Sequence, residues 1–562
     1  MRPLIQEVPT GHTPESLVER LQGEPGIVLL RSALFDSGQA RHSFVAAKPF
    51  LTLRAFGSRC ELLHDQKVGE EKVQPEVQFG NPWQVLDGLM ARYELLDEMD
   101  LPFPLGGCFG YWGYDLKNFV EPKLPRRAVN DLDLPDCHVG FYGSLVAFDH
   151  QLGKAWIVAT GLGIDGSRSE QNTQAQYAFW RLHLDSSAEA GADSRTDAAS
   201  GNRHRKSKAA GRLDVAAPGD GRTLQKTPGS STSCRPFPGG SDSPYVGSHD
   251  FLNRPCAEAV VSTRKPQSSM LNFTSLASTF ARVDFLGAVE RVQRYIRAGD
   301  IYQVNLAQRL AARCELPGWE LYQRLAAVSP APFSAYLDCG GFQVASSSPE
   351  LFLRLSGSQI LTRPIKGTRP RSSDATRDAQ FTYELQTSPK EMAELVMITD
   401  LLRNDLGRVC EYGSVQVPEL VRLERYPQVQ HLVSTVEGCL RPGVTHFAAF
   451  ASCFPGGSIT GAPKIRAMEI IDELEPVTRG PYTGAIGYLG FNRESQLSIA
   501  IRSAIVRDQL AYFHAGAGIV ADSIPTAEYE ETLAKARGFL AALELSWQAD
   551  IQGRVESERR RQ

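Results

Sequence analysis

The sequence predicts a chain that mixes strands and helices, and three observations carry that prediction. Short apolar runs bounded by turn residues, such as Gly26-Ile27-Val28-Leu29-Leu30 and Lys154-Ala155-Trp156-Ile157-Val158-Ala159, read as strands within residues 1–182. After Val283, apolar residues at helical spacing with start and stop signals recur, as in Phe285, Val289, Val292 and Ile296 before Gly299. Between these regions residues 183–272 change character: Ser, Ala, Gly, Asp, Arg and Pro dominate, with little periodicity and few aromatics. Such a stretch buries too little apolar surface to offset its ordering entropy, so it reads as a disordered insertion or linker.

Composition narrows the function classes. A formal net charge of -4 over 562 residues gives no bulk attraction to nucleic acid or to an anionic membrane. No apolar run reaches the length of a bilayer span, and Met1-Arg2-Pro3-Leu4-Ile5-Gln6-Glu7 lacks the apolar core of a secretion signal. The ten Cys are scattered without a C-x-x-C pair, so they read as small buried hydrophobes in a reducing compartment. A cytoplasmic location is the expectation.

Taken in order, the segments from Phe103 to Asp115 are dense in Gly and aromatic residues, which suggests backbone packed tightly under large rings. The basic run Arg203-His204-Arg205-Lys206-Ser207-Lys208 reads as part of a solvated linker. Asp284 is the expected N-cap of the helix that stops at Gly299. Tyr302, Val304 and Leu306 then alternate with Gln303, Asn305 and Ala307, the pattern of a half-buried strand whose polar face carries amides and no ionisable base. Glu350, between the apolar runs that end at Ser346-Ser347-Ser348 and resume at Leu351-Phe352-Leu353, is a candidate general acid, because desolvation raises a carboxyl pKa. As a turn carboxylate it would merely cap nearby amides.

Arg363-Pro364-Ile365-Lys366-Gly367-Thr368-Arg369-Pro370-Arg371 holds one Lys on a Pro-stiffened segment among three Arg. An amine partly desolvated among cations loses its proton more easily and becomes a nucleophile; taken alone, the segment also reads as a solvated loop. Ser388-Pro389-Lys390-Glu391 has the form of a capping box opening a helix to Gly407, with Glu391 and Glu394 on one face. Gly456-Gly457-Ser458-Ile459-Thr460-Gly461 feeds a second helix, bearing Ile465, Met468, Ile471 and Leu474 on one side, whose N-terminus could receive an organic carboxylate. Ala515-Gly516-Ala517-Gly518 leads towards a third, bearing Glu528, Glu531 and Lys535 on one face. Two Glu from each of two helices could together hold one Mg²⁺, which prefers oxygen ligands.

These segments resemble, in order, the signatures of the chorismate-utilising enzymes. The matches are Gly299-Asp300-Ile301-Tyr302-Gln303-Val304-Asn305, Ser348-Pro349-Glu350, Pro364-Ile365-Lys366-Gly367-Thr368, Asp400-Leu401-Leu402-Arg403-Asn404-Asp405, Gly457-Ser458-Ile459-Thr460-Gly461-Ala462-Pro463-Lys464 and Ala515-Gly516-Ala517-Gly518. The resemblance implies an α+β fold of the anthranilate synthase component I type, with large sheets packed as a sandwich and helices outside. It also divides the chain: 1–182 as the N-terminal region of that type, 273–545 as the chorismate-binding catalytic region, and 546–562 as a charged tail.

By the same resemblance Lys366, Glu350 and His431 are catalytic, and Thr460, Tyr482, Arg502, Gly516 and Lys535 touch substrate. Glu394 and Glu531 are the Mg²⁺ ligands, with Glu391 and Glu528 beside them. Lys at 366 is similar to the aminodeoxychorismate-forming branch of the family; the anthranilate branch carries Ala there. Gln303 stands where the isochorismate- and salicylate-forming branches deploy a Lys base. The implied reaction uses chorismate and ammonia, with ammonia from a separate glutamine amidotransferase subunit, since Gly107-Cys108-Phe109-Gly110 lacks a matching His-Glu arrangement. Anthranilate formation, and chorismate binding without catalysis, are the competing expectations. The family's inhibitor-binding Leu-Leu-Glu-Ser reads Leu29-Leu30-Arg31-Ser32 here, which argues against feedback by tryptophan.

Overall fold

The computed structural model describes residues 2–32, 41–64, 74–96, 101–185, 276–426 and 428–545. Of the expected linker 183–272, the first three residues belong to helix Glu170–Asp185, and the remainder, with its basic run, lies outside the described residues, as does the tail 546–562.

Among the described residues two sheets of twelve strands each, paired antiparallel, form the framework. One runs from Leu4–Val8 through Lys154–Ala159, Ser144–Asp149, His42–Ala46 and Val28–Arg31, and continues through Phe333–Asp338, Gln343–Ser348, Ser503–Arg507, Leu510–Ile519 and Gln303–Arg313 to Ala277–Ser278, with Gly461–Ala462 also paired to Gln303–Arg313. The other runs from Ile365–Pro370 through Val429–Cys439, Gln359–Arg363, Leu351–Ser356, Glu494–Ile499 and Ala485–Gly490, then Gly107–Trp112, Cys137–Tyr142, Leu51–Phe56 and Arg59–His64 to Glu76–Phe79, with Gln416–Arg425 beside Val429–Cys439. Each sheet therefore draws strands from both ends of the chain. The largest apolar core joins their inner faces, with Phe44, Ala147 and Leu337 from one meeting Leu53, Tyr111, Phe141 and Leu353 from the other. A second core packs Trp319 and Phe539, from helices Gly318–Val328 and Pro525–Ala542, against Phe513 and Tyr336 of the first sheet. This is the expected α+β sandwich with helices outside.

The glycines of the aromatic stretch do pack as backbone. A Cβ on Gly110 would stand 2.2 Å from the His138 carbonyl oxygen of the neighbouring strand. Cys108 beside it is fully buried, and burial holds its thiol pKa well above the ordinary value, so it offers no nucleophile. The eight described cysteines are all free, and all but Cys439 are buried. Among the described residues no helix is long and apolar enough to cross a membrane.

Several local expectations need correction. The helix begins at Arg282 with Ala281 as N-cap, so Asp284 lies in its first turn, where its charge still suits the dipole; Gly299 does close it, at φ 84°. Strand Gln303–Arg313 is covered on both faces: Gln303, Val304, Leu306 and Ala307 are buried, while Tyr302, 71% exposed, precedes it. Helix Lys464–Leu474 covers the apolar face, sharing a core in which Met468 and Ile471 meet Val304 and Leu306, and the amide face, carrying Gln303, is buried as well. Ile465 points away from that core, 49% exposed.

Two buried histidines give the fold a pH limit. His446 bonds Ser495 Oγ and the Gly357 carbonyl, both at 2.8 Å, and burial lowers its pKa to about 4. His431 is likewise lowered to about 4, first by burial and then by the Arg502 charge. Unfolding restores an ordinary pKa of about 6.5, so the unfolded chain binds more protons between these values. The neutral rings therefore contribute fully above about pH 6.5, and that contribution is lost as pH falls towards 4. Acidification from pH 7 to 5 should cost about 2 kcal/mol per ring, read as a falling Tm.

Candidate active site

Lys366 lies on the edge strand Ile365–Pro370, opposite Leu432 of Val429–Cys439, and the pairing shifts register between Lys366 and Thr368. The intervening Gly367 sits at φ 66°, and a Cβ there would meet Leu385 Cδ1 at 2.7 Å and Glu391 Oε2 at 3.1 Å. This bulge, possible with Gly, re-aims the side chains on either side of it. Lys366, Thr368 and Arg369 line a cavity of about 540 Å³.

The rest of the cavity comes from both sheets. Glu350 projects from the turn between Gln343–Ser348 and Leu351–Ser356, and Asn305 from Gln303–Arg313. Ala515, Gly516 and Gly518 supply one wall, and Tyr482, Arg502, His431, Ser458 and Ile459 close others. Helix Pro389–Gly407, capped by Ser388 on the Glu391 N–H, contributes Lys390, Glu391 and Glu394; helix Pro525–Ala542 contributes Glu528, Glu531 and Lys535. Of the twelve residues singled out from sequence, eleven line this one cavity. Thr460 does not. It is fully buried behind it, donating its hydroxyl to the Gly456 carbonyl at 3.1 Å, while Gly461 pairs with Val304. The first turn of helix Lys464–Leu474 is absent from the lining, because Lys464 turns back to bond Asp405 at 2.6 Å and the Cys453 carbonyl.

The environment of Lys366 differs from the one its flanking residues suggest. Each neighbouring Arg is committed to a carboxylate: Arg363 to Glu424 at 2.7 Å, Arg369 to Glu391 at 3.4 Å, and Arg371 to Asp378 at 2.9 Å. Lys366 Nζ itself stands 3.6 Å from Glu394 Oε2, both side chains 15% exposed. Sheet register and the helix over the edge strand bring these carboxylates in, and no reading of residues 363–371 alone reveals them. Glu350 is 6% exposed, and burial raises its pKa against the opposing pull of a hydrogen bond from Ser458, the Lys366 charge and the Ile365 N–H. Burial thus moves this carboxyl in the direction expected for a buried Glu between apolar strands.

The four helical glutamates all face the cavity, each with a partner within the protein. Lys535 bonds Glu531 and the Gly516 carbonyl, both at 2.8 Å. Ser523 donates to Glu528 at 2.6 Å, and burial, then the Glu531 charge, raises the Glu528 pKa. Among the described residues no three His, Cys, Asp or Glu stand close enough together to hold a metal as they are.

Arg502 is an unpaired charge on this wall among the described residues. It sits at φ 50°, burial lowers its pKa, and among the described residues its guanidinium has no hydrogen-bond or ion-pair partner. A half-buried guanidinium left unpaired is costly, so this wall suits an anionic ligand. His431 beside it stays neutral, with Nδ1 2.9 Å from Thr368 Oγ1. On the Gly516 side, a Cβ would meet Asn305 Oδ1 at 2.7 Å and the Tyr482 hydroxyl at 2.9 Å, so glycine there leaves room for a ligand against two polar groups.

Residues 248–541 match the family described as chorismate binding enzyme. The chain belongs to the chorismate-binding enzyme family. It is 35% identical over 532 residues to anthranilate synthase component 1 of Acetivibrio thermocellus, covering 95% of this chain and 93% of that one. It is 31% identical over 519 residues to aminodeoxychorismate synthase component 1 of Bacillus subtilis, covering 92% of each. The crystal structure of anthranilate synthase component I from Streptococcus pneumoniae superposes with a TM-score of 0.64 at 27% identity, covering 89% of this chain and 92% of that one. The chain is thus a chorismate-utilising enzyme of the anthranilate synthase and aminodeoxychorismate synthase group. Its sandwich is the anthranilate synthase component I-like fold.

Asn305, Ser458 and Thr368 belong to quoted motifs without having been assigned a role there. Arg369 and Lys390 are charges next in the chain to Thr368 and Glu391. His514 carried no signal, being a lone His before an apolar run. At the position of the family's inhibitor motif, Arg31 is ion-paired with Glu15 and bonded to the Ser32 carbonyl.

Proposed function

We propose that this enzyme converts chorismate and ammonia to 4-amino-4-deoxychorismate, the amination that precedes p-aminobenzoate and folate. The single observation that carries the reading is Lys366 on the cavity wall, close enough to buried Glu350 for its charge to act on that carboxyl. By resemblance, the neutral Lys366 amine bonds to C2 of chorismate, both ring double bonds shift by one position, and the C4–O bond breaks. Glu350 supplies the proton with which that oxygen leaves as water. Ammonia then bonds to C4, the shift reverses, and Lys366 departs from C2. Arg502 and Tyr482 hold the enolpyruvyl carboxylate, with Lys535 and Gly516 as further contacts.

Mg²⁺ takes one or two carboxylates and completes its shell with water and substrate oxygens, so Glu394 and Glu531 would hold the ion, with Glu391 and Glu528 beside them on the cavity wall. Bound there, Mg²⁺ would supply positive charge to the ring carboxylate and to the charge developing as the leaving group departs. A glutamine amidotransferase subunit is the proposed source of ammonia, and the cytoplasm the proposed location. Gln303 in place of a Lys base argues against water as the nucleophile.

The test is one reaction of purified protein with chorismate, Mg²⁺ and ammonium, read by mass spectrometry. Loss of water and gain of ammonia without pyruvate is the expected result, abolished by EDTA. Pyruvate with a fluorescent aromatic amine would make the protein an anthranilate synthase, and unchanged chorismate would make it a binder. Within this reading, Arg502→Ala should raise the KM for chorismate about 30-fold with a much smaller change in kcat, as expected when a charge-assisted contact to bound substrate is removed.

A further inference from the structure

His514, in strand Leu510–Ile519, precedes the Ala515–Gly518 wall of the cavity and lines the cavity itself. Its ring lies parallel to that of Tyr482, with centroids 4.9 Å apart and planes within 10°. Tyr482 belongs to no helix or strand; its N–H reaches the Arg479 carbonyl at 3.1 Å, and the Arg479 guanidinium lies 5.6 Å from its ring centre. A hydrogen bond with the Asn305 side chain tethers the phenol oxygen but leaves the plane of the ring open. His514 is 6% exposed, and its Nε2 has no hydrogen-bond partner. A buried imidazole not held through Nε2 contributes there through its face. Burial and the charges of Arg309 and Arg479 keep that ring neutral, and both arginines share with it a small second cavity behind the wall.

We propose that His514 is a positioning residue: its flat ring sets the plane of Tyr482 and so places the phenol oxygen where substrate is held at the Gly516 wall. The proposal rests on the reading of the cavity as a chorismate site. Offset or parallel ring contacts of this kind contribute modestly but directionally. His514→Ala should raise the KM for chorismate about tenfold and leave kcat within about twofold. His514→Phe keeps the flat face and removes the unpartnered nitrogen, so it should return KM to within about twofold of the unsubstituted enzyme.

An unmoved KM in the Ala variant, or a Phe variant as impaired as Ala, would overturn the proposal. Should the Ala variant fail to fold, the Phe variant decides: a KM within about twofold supports the stack, and a rise of about tenfold sinks it. Unsubstituted protein that neither binds nor converts chorismate would overturn the reading of the cavity and this proposal with it. A normal unsubstituted enzyme separates the two failures.

Discussion

Lys366→Ala should lose at least about 10³-fold in formation of 4-amino-4-deoxychorismate, equivalent to about 4 kcal/mol of transition-state stabilisation. The substitution removes the only primary amine on the strand Ile365–Pro370, and with it the nucleophile proposed for C2. Fold and substrate binding should survive. The residue sits on an edge strand whose bulge is fixed by Gly367, and its partner Glu394 stays within reach of solvent. The decisive readout is the intact mass of the protein incubated with chorismate and Mg²⁺ but no ammonia. Unsubstituted protein should carry a chorismate-derived adduct released by ammonium, and the Ala variant none. Any amine the variant does form should sit at C2, since the anthranilate branch carries Ala at this position. Full-speed formation of the C4 amine by the variant would remove Lys366 from the mechanism.

The parts of this site legible in sequence are those set by local backbone chemistry. Ser388 before Pro389 and Glu391 marks a helix start because a hydroxyl must accept an orphan N–H, and it does so here. Gly299 ends its helix because few other residues adopt φ 84° without strain. The spacing of Glu391 with Glu394, and of Glu528 with Glu531, placed each pair on the cavity face of its helix.

What stayed hidden depends on partners distant in the chain. The three arginines around Lys366 look like a field that would repel a proton, yet Arg363 meets Glu424, 61 residues away, across the sheet. Tyr302 falls just outside the strand and Gln303 is buried on the face that alternation assigned to solvent, while the helix from residues 464–474 covers the opposite, apolar face through Val304 and Leu306. Thr460 belongs to a motif that reaches the cavity through Ser458 and Ile459, its own hydroxyl being turned to the backbone. His514 acquires meaning when strand Leu510–Ile519 sets it against Tyr482.

Glu350→Gln should lower kcat by about 10³-fold, within the range for removal of a positioned general acid. Glutamine keeps the shape and can still accept the Ser458 hydrogen bond, but it has no acidic proton for the departing C4 oxygen. The pH profile supplies the stronger test. Burial raises the Glu350 pKa, so the acid form persists to a higher pH than for an exposed carboxyl, and kcat should fall as pH rises through that shifted value. The variant should lack this limb entirely. Stability moves in the opposite sense. A carboxyl whose folded pKa is raised binds more protons folded than unfolded between the two values, so its favourable contribution is present below the unfolded pKa and lost as pH rises through the folded one. Above that value the native protein carries a buried charge that the neutral amide of the variant would not, so the variant should melt higher than the unsubstituted enzyme above the folded pKa and lose that advantage as pH falls below the unfolded one. A variant that keeps both its rate and its alkaline limb would assign the proton to another group on the cavity wall.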